Sequence, residues 1–181
     1  MDSADFLPVA DVDLTGNERR YLLEAFDSGQ ISGSGIFVDR FEQAAAKYFN
    51  VPNARACVNG TAALHLALLA IGVGPGDEVV VPSLTYVATA NAVTYCGATP
   101  VFADCDPVTW NICMETVAPL LTERTRAIVV VPLFGNPVDI DPILELASRR
   151  RIRVVEDAAE AHGARYKKRL VGSLSDIATL S

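Results

Sequence analysis

The chain has 181 residues, half of them hydrophobic and a fifth charged, which is the profile of a globular protein with one domain and a sizeable core. Its formal charge of -7 argues against a nucleic-acid or anionic-membrane surface, and the run Arg149-Arg150-Arg151 reads as the solvated end of a helix, where cations suit the dipole. No stretch approaches the roughly 18 consecutive apolar residues that span a bilayer, and an N-terminus carrying Asp2, Asp5, Asp11 and Asp13 lacks the basic start and apolar run of a secretory leader, so the expected location is cytoplasmic.

Residues 1–14 read as irregular. A helix is predicted from Thr15, whose hydroxyl can cap it with Glu18 three residues on, through Tyr21-Leu22-Leu23 to about Ser28. The Gly- and Ser-rich segment Gly29 to Gly35 is neither helix nor strand; it is either a flexible connection or a close backbone approach to a ligand. Helical spacing of Phe41, Ala45 and Tyr48 or Phe49 predicts a second helix over 38–48.

From there strands and helices alternate. Strands are predicted over 54–58, 78–81, 100–103, 127–131, 153–156 and 177–180, and helices over 61–71, 86–95, 115–121 and 141–150. Nearly continuous apolar strands separated by helices imply an α/β fold with a mostly parallel sheet covered on both faces. The four cysteines show no C-x-x-C spacing and read as buried thiols rather than disulfides, and with only two histidines in the chain no protein-held metal is expected.

Three stretches carry candidate chemistry. In the first, a strand runs through Asn59-Gly60-Thr61 into a helix. The free amides and positive dipole of such a helix start attract an anion, and Gly60 lets a phosphate approach the backbone. No lysine follows, so this is not a P-loop, and an ordinary turn capped by Asn59 or Thr61 is the alternative. In the second, Pro82 to Ala88 follows a strand and offers Tyr86 as a ring that can stack on a flat heterocycle, or else pack on the core.

The third stretch is Val154-Val155-Glu156-Asp157, a buried strand ending in two acids. Ligands of open α/β sheets sit beyond the carboxyl ends of the strands, so Asp157 points at a ligand unless the acids merely end the strand or cap a following helix. A buried carboxylate calls for a cation or hydrogen-bond donors, and a protonated pyridine nitrogen, as in pyridoxal 5'-phosphate (PLP), is one such partner. Phosphate cup, ring and acid all fall at the same edge of the sheet.

The runs Asn59 to Leu68, Gly74 to Val79, Pro82 to Ala90 and Glu156 to Gly163, with Ile31 to Gly35 and Val38 to Glu42 before them, resemble the DegT/DnrJ/EryC1/StrS family of PLP-dependent sugar aminotransferases, of fold type I. Ser83 to Ala98 and Asp104-Cys105-Asp106-Pro107 are most similar to its perosamine synthase branch. The resemblance implies that Gly60, Thr61 and Ser181 hold the cofactor phosphate, Tyr86 covers the ring, Asp157 pairs with its nitrogen, and Glu160 lies near its 3-hydroxyl, where many relatives have glutamine. It also implies a nucleotide-linked keto sugar as substrate, glutamate as amino donor, a homodimer, and a sugar-nucleotide site near the Gly29 to Gly35 loop. Residues 1–36 then form an N-terminal helix and active-site loop segment, and 37–181 an incomplete cofactor-binding large domain without the C-terminal small domain.

Two departures qualify the match. Pro132 stands where the family usually carries a histidine before the segment matched by Leu133-Phe134-Gly135. The Schiff-base lysine of the family is expected beyond Ser181, whereas this sequence offers only Lys47 on the polar side of a helix and Lys167 and Lys168 in a basic turn. The expectation is a fragment that binds PLP weakly if at all and does not transaminate. The alternatives are a dehydratase of the same family, or a non-catalytic remnant that pairs with a full-length subunit.

Overall fold

Five short apolar runs become one parallel sheet, and the period-two alternation of their side chains builds two separate cores. The computed structural model describes residues 11–181; the irregular reading of residues 1–10 lies outside them. In chain order the helices are Glu18–Asp27 (α1), Ile36–Phe49 (α2), Gly60–Ala70 (α3), Ala88–Tyr95 (α4), Met114–Val117 (α5) and Ile140–Arg150 (α6). The strands are Glu78–Pro82 (β1), Thr99–Ala103 (β2), Thr125–Val130 (β3), Arg153–Asp157 (β4), Arg165–Tyr166 (β5), Arg169–Leu170 (β6) and Ile177–Thr179 (β7).

The sheet runs β2-β1-β3-β4-β7 with every neighbouring pair parallel, and β5 and β6 form a separate antiparallel hairpin. Val79, Val81, Val129 and Val155 face α3 and α4, packing on Leu64, Leu68, Ala92 and Val93. Their neighbours Val80, Ile128, Val130 and Val154 face the other way, onto Val117, Ile140, Ile143 and Ala147 of α5 and α6. A sheet buried on both faces explains why its strands read as unbroken valine and isoleucine runs.

Four expectations are corrected. Ala54–Val58 is not a strand: Val58 is 88% exposed, and a run with no neighbour to pair with among the described residues gains nothing from extended hydrogen bonding. Cys57, read as buried for the same reason, is exposed; of the four free thiols only Cys96 is buried. α1 starts at Glu18 with Asn17, not Thr15, at the N-cap position and no side-chain cap; Thr15 lies in the preceding loop, its amide donating to Asp13 Oδ1 at 2.9 Å. The helix expected over 115–121 is a single α-turn, after which Pro119 sits in a 3-10 turn.

The N-terminal pair is peripheral. α1 buries none of its residues and α2 buries only Phe49. They meet through Tyr21 against Phe37, with centroids 6.0 Å apart, and an exposed Arg40 to Glu24 pair at 3.4 Å. The glycine-rich loop between them folds on itself. Gln30 Oε1 accepts the Ile36 amide at 2.9 Å, and Gly35, with φ of 134°, lies so close to that oxygen that a Cβ would sit 2.9 Å from it. Among the described residues no helix is long and apolar enough to cross a membrane.

The two acids ending β4 part company. Glu156 faces the α6 side and is 1% exposed. Its carboxylate accepts the amides of Gly172 at 3.0 Å, Leu174 at 2.8 Å and Ser175 at 3.2 Å. This clamp fixes the turn that leads into β7. Replacing Glu156 by Ala strands three amides away from water and should cost on the order of 3 kcal/mol or more in urea unfolding, with Glu156→Gln milder because one oxygen still accepts.

Candidate active site

The site is assembled at the carboxyl edge of the sheet, where α3, α4, β4 and β7 come together. Asn59 caps α3, its side-chain oxygen accepting the Ala62 amide at 2.9 Å, while its carbonyl accepts Ala63 at 3.0 Å. Among the described residues no acceptor meets the amides of Gly60 and Thr61. Two free amides at the positive end of an apolar helix form a seat for an anion.

Ser181 closes that seat from the other side. A Cβ placed on Gly60 would lie 2.7 Å from Ser181 Cβ and 3.0 Å from its Oγ, so only glycine fits. The contact joins the start of α3 to the residue two beyond β7, and β7 in turn pairs Thr179 with Asp157. Gly60, Ser181 and Asp157 are thereby brought to one corner.

Asp157 lies on the α3 and α4 side of β4 and is 6% exposed. Its Oδ2 accepts the Thr89 hydroxyl at 2.7 Å, and Thr89 Oγ1 lies 3.1 Å from Thr85 Oγ1. Burial pushes the Asp157 carboxyl above the usual carboxylate range; the Thr89 hydroxyl and the Ala159 amide pull it back, and the Glu160 charge adds to the rise.

Two other buried acids show what is unusual about it. Glu78 is met by Arg124 and by the Thr122 hydroxyl at 2.5 Å, and Glu156 by three amides. Asp157 has no cationic partner among the described residues. A protonated ring nitrogen supplies the charge that this carboxylate lacks, so the donor set fits a pyridinium cofactor.

Tyr86 stands in the loop between β1 and α4, 72% exposed, its carbonyl accepting the Thr89 amide at 3.1 Å. Its ring does not pack on the core, which was the alternative reading. Glu160 is exposed in the turn after β4, where no helix forms for the acids to cap; its Oε2 accepts the Phe134 amide at 2.8 Å. That bond holds Phe134 in a left-handed conformation, with φ of 51°, just after Pro132.

The lysines are engaged or placed elsewhere. Lys167, in the hairpin turn, donates to Asp141 at the start of α6 at 2.6 Å, and that bond holds its ammonium well above the ordinary lysine value. Lys47 is exposed on α2. Sequence reasoning missed Thr89 and the Phe134 amide; the former is one of the polar residues of α4, with Asn91 and Thr94, and nothing in the sequence marks it as the fully buried one.

Residues 12–181 match the DegT/DnrJ/EryC1/StrS aminotransferase family. GDP-perosamine synthase of Caulobacter vibrioides is 56% identical over 175 residues, which cover 97% of this chain and 47% of that protein. Among solved structures, the aminotransferase from Psychrobacter cryohalolentis superposes with a TM-score of 0.90 at 40% identity, covering 97% of this chain and 44% of its own. The PLP-form of Spr1654 from Streptococcus pneumoniae does so with a TM-score of 0.88 at 30% identity, covering 97% and 48%. The chain spans about half the length of the curated relatives it matches.

The burial of Asp157 sets a pH dependence. A carboxyl that is harder to ionise when folded binds more protons than its unfolded counterpart, from the ordinary carboxylate value up to its raised one. Stability therefore falls as pH rises through that window and stays reduced above it. Asp157→Asn removes this slope. Urea unfolding across the acid-to-neutral range should show the variant gaining on the wild type as pH rises, with the difference smallest in acid.

Proposed function

The chain belongs to the DegT/DnrJ/EryC1/StrS aminotransferase family, and on that premise we propose that it is the cofactor-binding part of a PLP-dependent aminotransferase acting on a nucleotide-linked keto sugar. The observation that carries the reading is Asp157, a buried carboxylate without a cation among the described residues, held one short strand away from the Gly60 to Ser181 seat. PLP, when bound, supplies the electron sink that amino transfer requires.

Each named residue then has a physical task. The Gly60 and Thr61 amides and the Ser181 hydroxyl hold the phosphate, and Tyr86 lays its exposed ring over the heterocycle. Asp157 holds a proton on the ring nitrogen, which keeps the ring cationic, and Glu160 lies beside the 3-hydroxyl. The folded Gly29 to Gly35 loop belongs to the sugar-nucleotide side, so that residues 1–36 act as a substrate-facing segment and 37–181 as the cofactor unit.

Glutamate is the proposed amino donor, and the cytoplasm the proposed location. A second copy is proposed to cover the apolar side of α3, where Leu66 and Leu69 are each 50% exposed. The similarity to a GDP-perosamine synthase supports a GDP-linked keto sugar as substrate.

Cofactor affinity tests the reading without requiring turnover. Pyridoxamine 5'-phosphate, titrated by its own fluorescence, should bind saturably. Asp157→Asn and Gly60→Ala should each weaken it by roughly tenfold, the first through a lost charge partner and the second by pushing Ser181 off the seat. Tyr86→Ala should cost about threefold to tenfold through lost stacking. Equal affinity for the wild type and Asp157→Asn would sink the assignment.

A further inference from the structure

Asp157 does not meet the ring alone. The hydroxyl of Thr89 reaches its Oδ2 at 2.7 Å from a side chain with no exposure, and a second hydroxyl, Thr85 Oγ1, stands 3.1 Å behind. The chemistry fixes the direction of the chain. A carboxylate is acceptor-only, so the single Thr89 proton goes to Asp157, and the Thr85 hydroxyl must then donate to Thr89. Both hydroxyls are spent in one direction, toward the acid.

The elements that carry them make this more than a local contact. Thr85 sits beside Tyr86 in the loop after β1, and Thr89 lies in the first turn of α4, its amide bonded to the Tyr86 carbonyl at 3.1 Å. The same short segment thus presents the ring and aims the acid. Without Thr89, the oxygen of Asp157 nearest α4 would lose its donor inside an apolar face made by Ala88, Ala92 and Val155.

We propose that Thr89 is a positioning residue for this site, with Thr85 behind it: the Thr85 to Thr89 hydroxyl relay orients the Asp157 carboxylate by donating to it, and ties its aim to the loop that carries Tyr86. The inference rests on the reading of Asp157 as the group that meets the cofactor nitrogen. The other groups acting on the carboxylate are the Ala159 amide, which also favours its charged form, and the Glu160 charge, which opposes that form.

The test separates the relay from the cofactor reading. With carboxyl-labelled aspartate and Asp157→Asn to assign the signal, the ionisation of Asp157 is followed by carbon NMR in the cofactor-free chain. Thr89→Val should move its titration midpoint upward, Thr85→Val should move it upward by less, and Thr89→Ser, which keeps the hydroxyl, should leave it near the wild type. The same variants are titrated with pyridoxamine 5'-phosphate, where Thr89→Val should weaken binding roughly threefold to tenfold, with rescue by serine.

An unmoved midpoint in Thr89→Val overturns the relay. So does an equal shift in Thr89→Ser, because the effect then follows disturbed packing at this position rather than the loss of the hydroxyl. If the midpoint moves as expected while Asp157→Asn binds pyridoxamine 5'-phosphate as well as the wild type, the relay stands and the cofactor assignment falls. Should Thr89→Val fail to fold, Thr89→Ser and Thr85→Val still give the ordered pair of shifts that decides the matter.

Discussion

Adjacent residues of a β-strand face opposite ways, and at the end of β4 that constraint separates two neighbouring carboxylates. Glu156 turns toward α6 and is absorbed by backbone amides. Asp157 turns toward α3 and α4, where one hydroxyl and one amide are the donors that meet it among the described residues. A register slip of a single residue would exchange them, leaving the loop before β7 without its anchor and the ligand edge with the wrong acid. The fully buried valines on either side of the strand make that slip costly, so the packing of the sheet also specifies the chemistry of its edge.

The two acids are also coupled through β7. Glu156 fixes the turn that starts it, β7 pairs with β4 in parallel, and the chain then reaches Ser181 against Gly60. The anion seat is therefore not a property of the α3 terminus alone. It depends on a carboxylate on the far face of the sheet that touches no part of the seat.

Much of this was legible in the residues. The valine and isoleucine runs announced a doubly covered parallel sheet, and glycine before an apolar helix, an aromatic after a strand and an acid at a strand end marked residues that the fold carries to the carboxyl edge of that sheet. What the residues hid depends on contacts distant in sequence. Whether Ala54–Val58 pairs as a strand depends on a neighbour that no local pattern reveals, and among the described residues it has none. Glu156 and Asp157 look alike in sequence because nothing local says that Gly172 to Ser175 will fold back onto the first. Thr89 reads as filler in an alanine-rich helix; its role appears only once α4 is laid on β4.

The contact of Gly60 with Ser181 has a kinetic side. Its partners are remote in sequence, one before β1 and the other after β7, and between them every strand of the parallel sheet must be laid down. Pairings so remote in sequence form late, because the entropy of closing the intervening loops must be overcome first. An anion seated at that junction would engage only molecules in which the sheet between Gly60 and Ser181 has formed, so ligand added during refolding would select those in which the two have already met.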